Sequence, residues 1–173
     1  MIPKSVSSAT FVGRIEPAPA RIRGVVADAV VFDTLNAIYV WESERVPHYF
    51  VPLVDIDVGA FVDENRALRL KRGLARRHGI RVGDVYRPRA AHLYTEESVE
   101  EVRGMVRFEW SSLDAWFEED VQIYVHPKSP YVRVDAVRSS RTVRVDVGGT
   151  TIAESRRPVT LFETGLPVQY YLD

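Results

Sequence analysis

Six polar residues in the last third of the chain could do chemistry together: His126, Arg133, Asp135, Ser139, Ser140 and Arg141. They combine an imidazole that titrates near neutrality, two guanidinium groups, a carboxylate and two hydroxyls, a set suited to holding a small polar or anionic ligand. The plainer alternative is a solvated strand face. Arg133 and Asp135 stand two apart, the spacing that puts side chains on one side of a strand, where an exposed ion pair contributes about 1 kcal/mol or less. A Ser–His–Asp triad can be drawn from the same residues, but no Gly-x-Ser-x-Gly elbow is present to aim the serine.

A second group places aromatic rings beside one carboxylate, and it occurs twice: Trp41, Glu42, His48 and Tyr49, then Phe162, Glu163, Tyr170 and Tyr171. Such a mixture lines apolar pockets with a few placed polar groups, or it is simply the core of a sheet with hydroxyls at its rim. A buried Glu163 would need a cation, and Arg156 or Arg157 on the preceding turn could supply it. Arg157, Glu163, Tyr170 and Tyr171 therefore join the candidate ligand-binding set.

Metal-dependent nucleotidyl transfer or hydrolysis would need spaced carboxylates, and Asp55 and Asp57 have that spacing. No phosphate-cradling glycine loop accompanies them. The four histidines, His48, His78, His92 and His126, are too scattered for a ready-made zinc site, and no metal site is assigned. Arg66, Arg69, Lys71, Arg72, Arg76, Arg77 and Arg81 could follow a phosphate backbone. They read better as a solvated face compensated by Glu96, Glu97, Glu100, Glu101 and the acids of 114–120, so nucleic acid is not the expected partner.

Composition narrows the classes further. The chain has 173 residues, a formal charge of −1, and 46% hydrophobic and 27% charged residues, the profile of a globular protein with a substantial core. With no cysteine, disulfides, thiolate nucleophiles and iron–sulfur clusters are excluded. Residues 1–11 lack the apolar run of a secretory leader, and no stretch approaches the roughly 20 apolar residues of a membrane span, so a cytoplasmic location is expected.

The elements that position these groups repeat. Sliding 22–51 onto 143–172 without a gap pairs Arg23 with Arg144, Val26 with Val147, Glu42 with Glu163 and Tyr49 with Tyr170 as identities. Conservative pairs surround them, among them Val31 with Ile152, Trp41 with Phe162 and Phe50 with Tyr171. In the second copy Val143, Val145 and Val147 alternate with Arg144 and Asp146, Gly148 and Gly149 can supply the positive φ of a tight turn, and 150–153 resumes a strand. Strands are also expected at 159–163 and at 170–172, and in the first copy at 25–33 (a hairpin), 37–41 and 49–51. Between the copies, 89–94 and 104–110 read as a strand pair. Two helices are expected, over 65–78 with Gly79 ending it and over 112–119 anchored by Trp116 and Phe117.

The segment 108–171 resembles the bacterial family known as domain of unknown function 427. The phrases that carry the likeness are Asp114-Ala115-Trp116-Phe117-Glu118-Glu119-Asp120, His126-Pro127, Arg133-Val134-Asp135, Ser139-Ser140-Arg141, and the closing Phe162-Glu163-Thr164-Gly165-Leu166-Pro167 with Tyr170-Tyr171. The first copy looks like a more divergent member. The resemblance implies a mostly antiparallel β domain; a nucleotidyltransferase-style label goes with the family, without assigned chemistry. Family members continue past the paired tyrosines with a further turn and strand, whereas this sequence stops at Asp173. The second sheet would then need cover from 121–137 or from another subunit, which implies a homodimer. The expected architecture is all-β, a duplicated antiparallel curved-sheet protein with a first unit at 12–110, a helical connector at 111–120 and a second unit at 121–173. The expected function is binding of a small polar or anionic molecule, the alternatives being metal-dependent transfer or a purely structural, self-associating module.

Overall fold

Short β-branched and aromatic runs broken by Gly, Asp and Pro favour strands. The computed structural model describes residues 13–43, 46–131 and 133–172; the stretch 1–11 and Asp173, on which expectations were placed above, lie outside them. Every strand pairing among the described residues is antiparallel, and helical structure is confined there to three short 3-10 turns, the all-β class expected.

The first part of the chain runs through β1 (Ile15–Pro17), β2 (Ile22–Val26), β3 (Ala29–Thr34), β4 (Ile38–Val40), β5 (His48–Pro52), β6 (Phe61–Leu70), β7 (Gly73–Val82), β8 (Val85–Tyr94), β9 (Met105–Phe108), β10 (Ala115–Glu118) and β11 (Val121–Ile123). These make a seven-stranded sheet in the order β1-β4-β5-β9-β8-β7-β6 and a four-stranded sheet in the order β11-β10-β2-β3. Their shared core is aromatic. Phe32 of the smaller sheet stacks on Phe108 of the larger at 4.9 Å and meets Trp116 edge-on at 5.5 Å, with Ile22, Val26, Ile80 and Val106 fully buried around them.

The remainder comprises β12 (Val134–Arg138), β13 (Val143–Val147), β14 (Thr150–Ser155), β15 (Val159–Glu163) and β16 (Gln169–Tyr171), in a three-stranded sheet β12-β15-β16 and a hairpin β13-β14. The repeat read in the sequence reappears here as backbone pairing. Ile22 opposite Thr34 becomes Val143 opposite Ser155, Tyr39 opposite Tyr49 becomes Thr160 opposite Tyr170, and Glu16 opposite Tyr39 becomes Val137 opposite Thr160. Even the bulges correspond, between Gly24 and Val25 in one hairpin and between Val145 and Asp146 in the other.

One cross-strand pair is exchanged as a unit. Gly24 faces Phe32, whose ring would lie 2.3 Å from a Cβ at Gly24, whereas the counterpart pair is Val145 facing Ala153. A large ring over a bare backbone is thus replaced by a medium side chain over a small one.

The copies differ in their neighbours. β2 is flanked by β10 and β5 by β9, but among the described residues β13 has only β14 and β16 only β15. Val31 is 2% exposed while its counterpart Ile152 is 64% exposed, and Phe50 is buried while Tyr171 is not. The segment 121–137 does not supply the missing cover: β11 joins the first part's sheet, and β12 lies on the other side of β15.

Both expected helices are strands. The stretch 65–78 lies in the long β6–β7 hairpin, where Leu70 pairs with Gly73 across the turn and Gly73 has φ +127°. Gly79 does not end a helix; a Cβ there would lie 2.6 Å from the Tyr86 ring, so the glycine makes room for that ring. In 112–119, a 3-10 turn is followed by β10, whose alternation buries Trp116 and Glu118 while Ala115 and Phe117 are half-buried. The expected connector is therefore a strand on β2. The pair expected at 89–94 and 104–110 is present as β8 with β9.

Candidate functional site

The acidic run at the end of β10 gathers both arginines of the first candidate cluster, Arg133 and Arg141. Glu118, 2% exposed at its side chain, is paired with Arg133, which is 6% exposed. Burial lifts the Glu118 carboxyl above the usual carboxylate range, with Arg133 opposing. Glu119, fully buried and at φ +53°, accepts hydrogen bonds from the Arg21 backbone N–H at 3.1 Å, from Ser139 Oγ at 2.7 Å and from Arg141. Asp120 pairs with Arg23 at 2.9 Å and accepts from Ser140 Oγ at 3.1 Å. The Arg133 guanidinium also lies over the Phe162 ring and that of Arg141 over Tyr170. Arg133, Arg141 and Ser139 are thus occupied in joining the two parts of the chain.

Asp135 binds Lys128 and Arg133; burial works to raise its pKa, but those hydrogen bonds bring it below the usual carboxylate range. His126 is exposed and its Nδ1 lies 2.8 Å from the carbonyl of Pro127, away from the serines' partners, so no triad is assembled. Glu163 is half-buried and in no ion pair among the described residues; Arg156, expected as its partner, sits 4.0 Å from Glu154. Glu163 instead lines a small pocket with Arg133, Phe162 and Leu166. Tyr170 and Tyr171 are exposed.

One group remains open. A cleft of about 510 Å³ is lined by Asp120, Arg138, Ser139, Ser140, Arg157 and Val159. The end of β12 contributes Arg138 and the turn before β15 contributes Arg157, brought side by side because the Ser139 N–H bonds to the Pro158 carbonyl at 3.0 Å. Both arginines are exposed, and among the described residues neither forms an ion pair. In the first copy the same backbone bond joins the Ala18 N–H to the Ala37 carbonyl at 2.8 Å, and the residues at the positions of Arg138, Ser139, Ser140 and Arg157 are Pro17, Ala18, Pro19 and Asn36. One scaffold therefore carries a polar cationic rim in one copy and an uncharged one, apolar but for Asn36, in the other.

The Glu42 cluster in the first part is a closed network. Arg107 of β9 donates to Glu42 at 2.7 Å and to Glu109 at 2.6 Å, and His92 lies 3.3 Å from Glu109. The bond with His92, aided by Arg107, holds the Glu109 carboxyl down at about 2. Trp41 and Tyr49 are core residues, as the plainer reading had it. Asp55 accepts from Thr34 Oγ1 at 2.6 Å, and Asp57 closes a turn onto the Gly59 N–H at 2.9 Å. Among the described residues no cluster of three or more His, Asp or Glu side chains is placed to hold a metal. Arg76 and Arg77 are neutralised across their hairpin by Asp63 and Glu64, not by the more distant acids expected.

The sequence model of the family described as a domain of unknown function, DUF427, matches residues 14–119 and 135–173. The chain belongs to this family. The second DUF427 segment begins at Asp135, the residue that the repeat assigns to Arg14, and the unmatched stretch between the segments contains β11. No curated relative matches the chain. Among the described residues no helix is long and apolar enough to cross a membrane. Within the DUF427 framework, Arg138 and Asp120 line the cleft although neither is in the candidate ligand-binding set, Asp120 standing only in the family phrase that ends the 114–120 run. Arg138 was legible only as a residue preceding the Ser139-Ser140 pair at a strand end, a place where side chains leave the sheet.

Proposed function

We propose that this protein binds a small anionic molecule in the cleft between Arg138 and Arg157. The observation that carries the reading is the pair of exposed arginines lining one cleft without an ion-pair partner among the described residues, on a wall fixed by the Ser139 hydroxyl bonded to Glu119 and the Ser140 hydroxyl bonded to Asp120. Guanidinium groups favour phosphate or carboxylate because their planar N–H forks match those anions. Asp120 does not repel such a guest strongly, since Arg23 already neutralises it. The internal comparison adds support: the homologous rim in the first copy has no charge, although the strands beneath it pair identically.

The test is a thermal-shift titration with inorganic phosphate, pyrophosphate, citrate and nucleotides, with and without magnesium, at low ionic strength. A ligand that binds the native state raises the melting temperature in proportion to the logarithm of its concentration once saturating. The expected result is a shift with at least one anion that disappears in Arg138→Ala/Arg157→Ala, while that variant melts like the wild type without ligand. A shift that survives the double substitution, or no shift with any anion, overturns the reading. A shift that requires both nucleotide and magnesium would move the reading to metal-dependent transfer.

A further inference from the structure

We propose that the free edge of β13 pairs with β13 of a second copy of this chain, joining two hairpins into a four-stranded antiparallel sheet. An edge strand presents unpaired N–H and C=O groups, and proteins normally cover or block them. The first copy shows what this edge accepts. There β10 seats on β2, with Ala115, Trp116, Phe117 and Glu118 opposite Val25, Gly24, Arg23 and Ile22 in unbroken register, so the bulge toward β3 leaves the outer edge regular. β13 has the same pairing and the same bulge toward β14, and its outer edge has no neighbour among the described residues.

The sequence of β13 identifies the occupant. Val143-Arg144-Val145-Asp146-Val147 is complementary to itself when read antiparallel about Val145. In that register Val143 faces Val147 of the second copy, Val145 faces its own equivalent, and Arg144 faces Asp146 twice, related by a two-fold axis. Opposite charges directly across a strand pair favour pairing, and like charges oppose it. Both charged side chains are exposed, at 58% and 42%; within one chain they pair with each other along the strand at 3.0 Å and Asp146 accepts from Thr151 Oγ1 at 2.6 Å, so pairing between copies exchanges the ion pair along the strand for two across it. Val145, Val147 and Ile152 are also exposed, and the pairing would merge the valine faces of two hairpins into one surface. The result would reproduce, between two chains, the four strands that β11-β10-β2-β3 form within one.

Sedimentation equilibrium on the full chain over a wide concentration range provides the test, with far-UV circular dichroism to establish that each variant is folded. The wild type is expected to dimerise. Asp146→Arg sets Arg144 against arginine at both positions and is expected to weaken the dimer about tenfold or more. Arg144→Asp/Asp146→Arg exchanges the charges, restores complementarity about Val145, and is expected to recover the wild-type dimer. A wild type that stays monomeric throughout overturns the proposal. So does a dimer equally tight in Asp146→Arg, or a double variant no tighter than the single one.

Discussion

At Glu118 and Arg133 a carboxylate and a guanidinium are both nearly sealed from water, so neither has solvent to fall back on if its partner is removed. Truncating one member of such a pair strands the other as an uncompensated buried charge, at about 3–5 kcal/mol. Arg133→Ala is therefore expected to lose about that much in urea-denaturation free energy, and Glu118→Leu/Arg133→Met to recover most of it, since an apolar pair of similar volume avoids the desolvation cost. A double variant no more stable than Arg133→Ala would show that Arg133 acts through the Phe162 ring and Asp135 instead. Ligand assays on alanine at Arg133 would accordingly report folding, which is why Arg138 and Arg157 are the positions to truncate for binding. At this scale the residue types of the site were legible from the sequence, but their partners were not. Nothing near Arg133 or Arg141 in the chain announces that Glu118 and Glu119, at the end of a strand in the other sheet, would claim them.

The hairpins show what local sequence does and does not decide. Gly148 and Gly149 make the turn of β13–β14 at φ +57° and +82°, as their lack of a Cβ allows, and the first hairpin makes the equivalent turn with Ala27 and Asp28 at φ +47° and +62°. An L-residue with a side chain pays about 1–2 kcal/mol to sit there, and the Asp114 carboxylate accepting from the Ala27 N–H at 2.8 Å helps to hold it. Ala27→Gly is expected to stabilise the protein by about 0.5–1 kcal/mol, the relieved strain exceeding the added chain entropy, seen as a higher urea midpoint at unchanged m. Alternation and turn residues made both hairpins readable. The two helices were misread because Ala67, Leu70, Leu74 and Ala75 fall at helical intervals by coincidence, while Lys71 and Arg72 form a turn with no Asn-Gly or Gly-Gly signal before Gly73. The strand 115–118 was hidden by a serine-rich approach that resembles a helix cap.

For the molecule as a whole, half-burial of His48 and burial of His78 lead us to expect a pH dependence of stability. Burial is the largest influence lowering the pKa of His48, reinforced by Arg107 and opposed by Glu42 and Glu109; at His78 burial likewise leads, with the Arg76 carbonyl, Asp63 and Glu64 opposing. The unfolded chain takes up protons near pH 6.5 while the folded one resists, so this contribution is full above about pH 6.5 and is lost as pH falls through the lower folded values. Glu118, raised by burial, works in the opposite sense, so the comparison belongs between wild type and His48→Gln/His78→Gln at each pH. The gap in unfolding free energy between them is expected to move against the wild type as pH drops from about 7.5 to about 5.5. A constant gap would mean that both rings protonate as freely folded as unfolded. The pairing of Gly24 with Phe32, against Val145 with Ala153, also bears on how the chain can change over time. A gene-conversion tract that copied only one strand of a hairpin would drive a valine into the Phe32 ring or leave glycine opposite alanine with nothing between them. A tract that carried both strands together would keep the pair matched within the hairpin, but in the first copy it would also replace the Phe32 ring that stacks on Phe108 by a methyl group and open a cavity between the sheets.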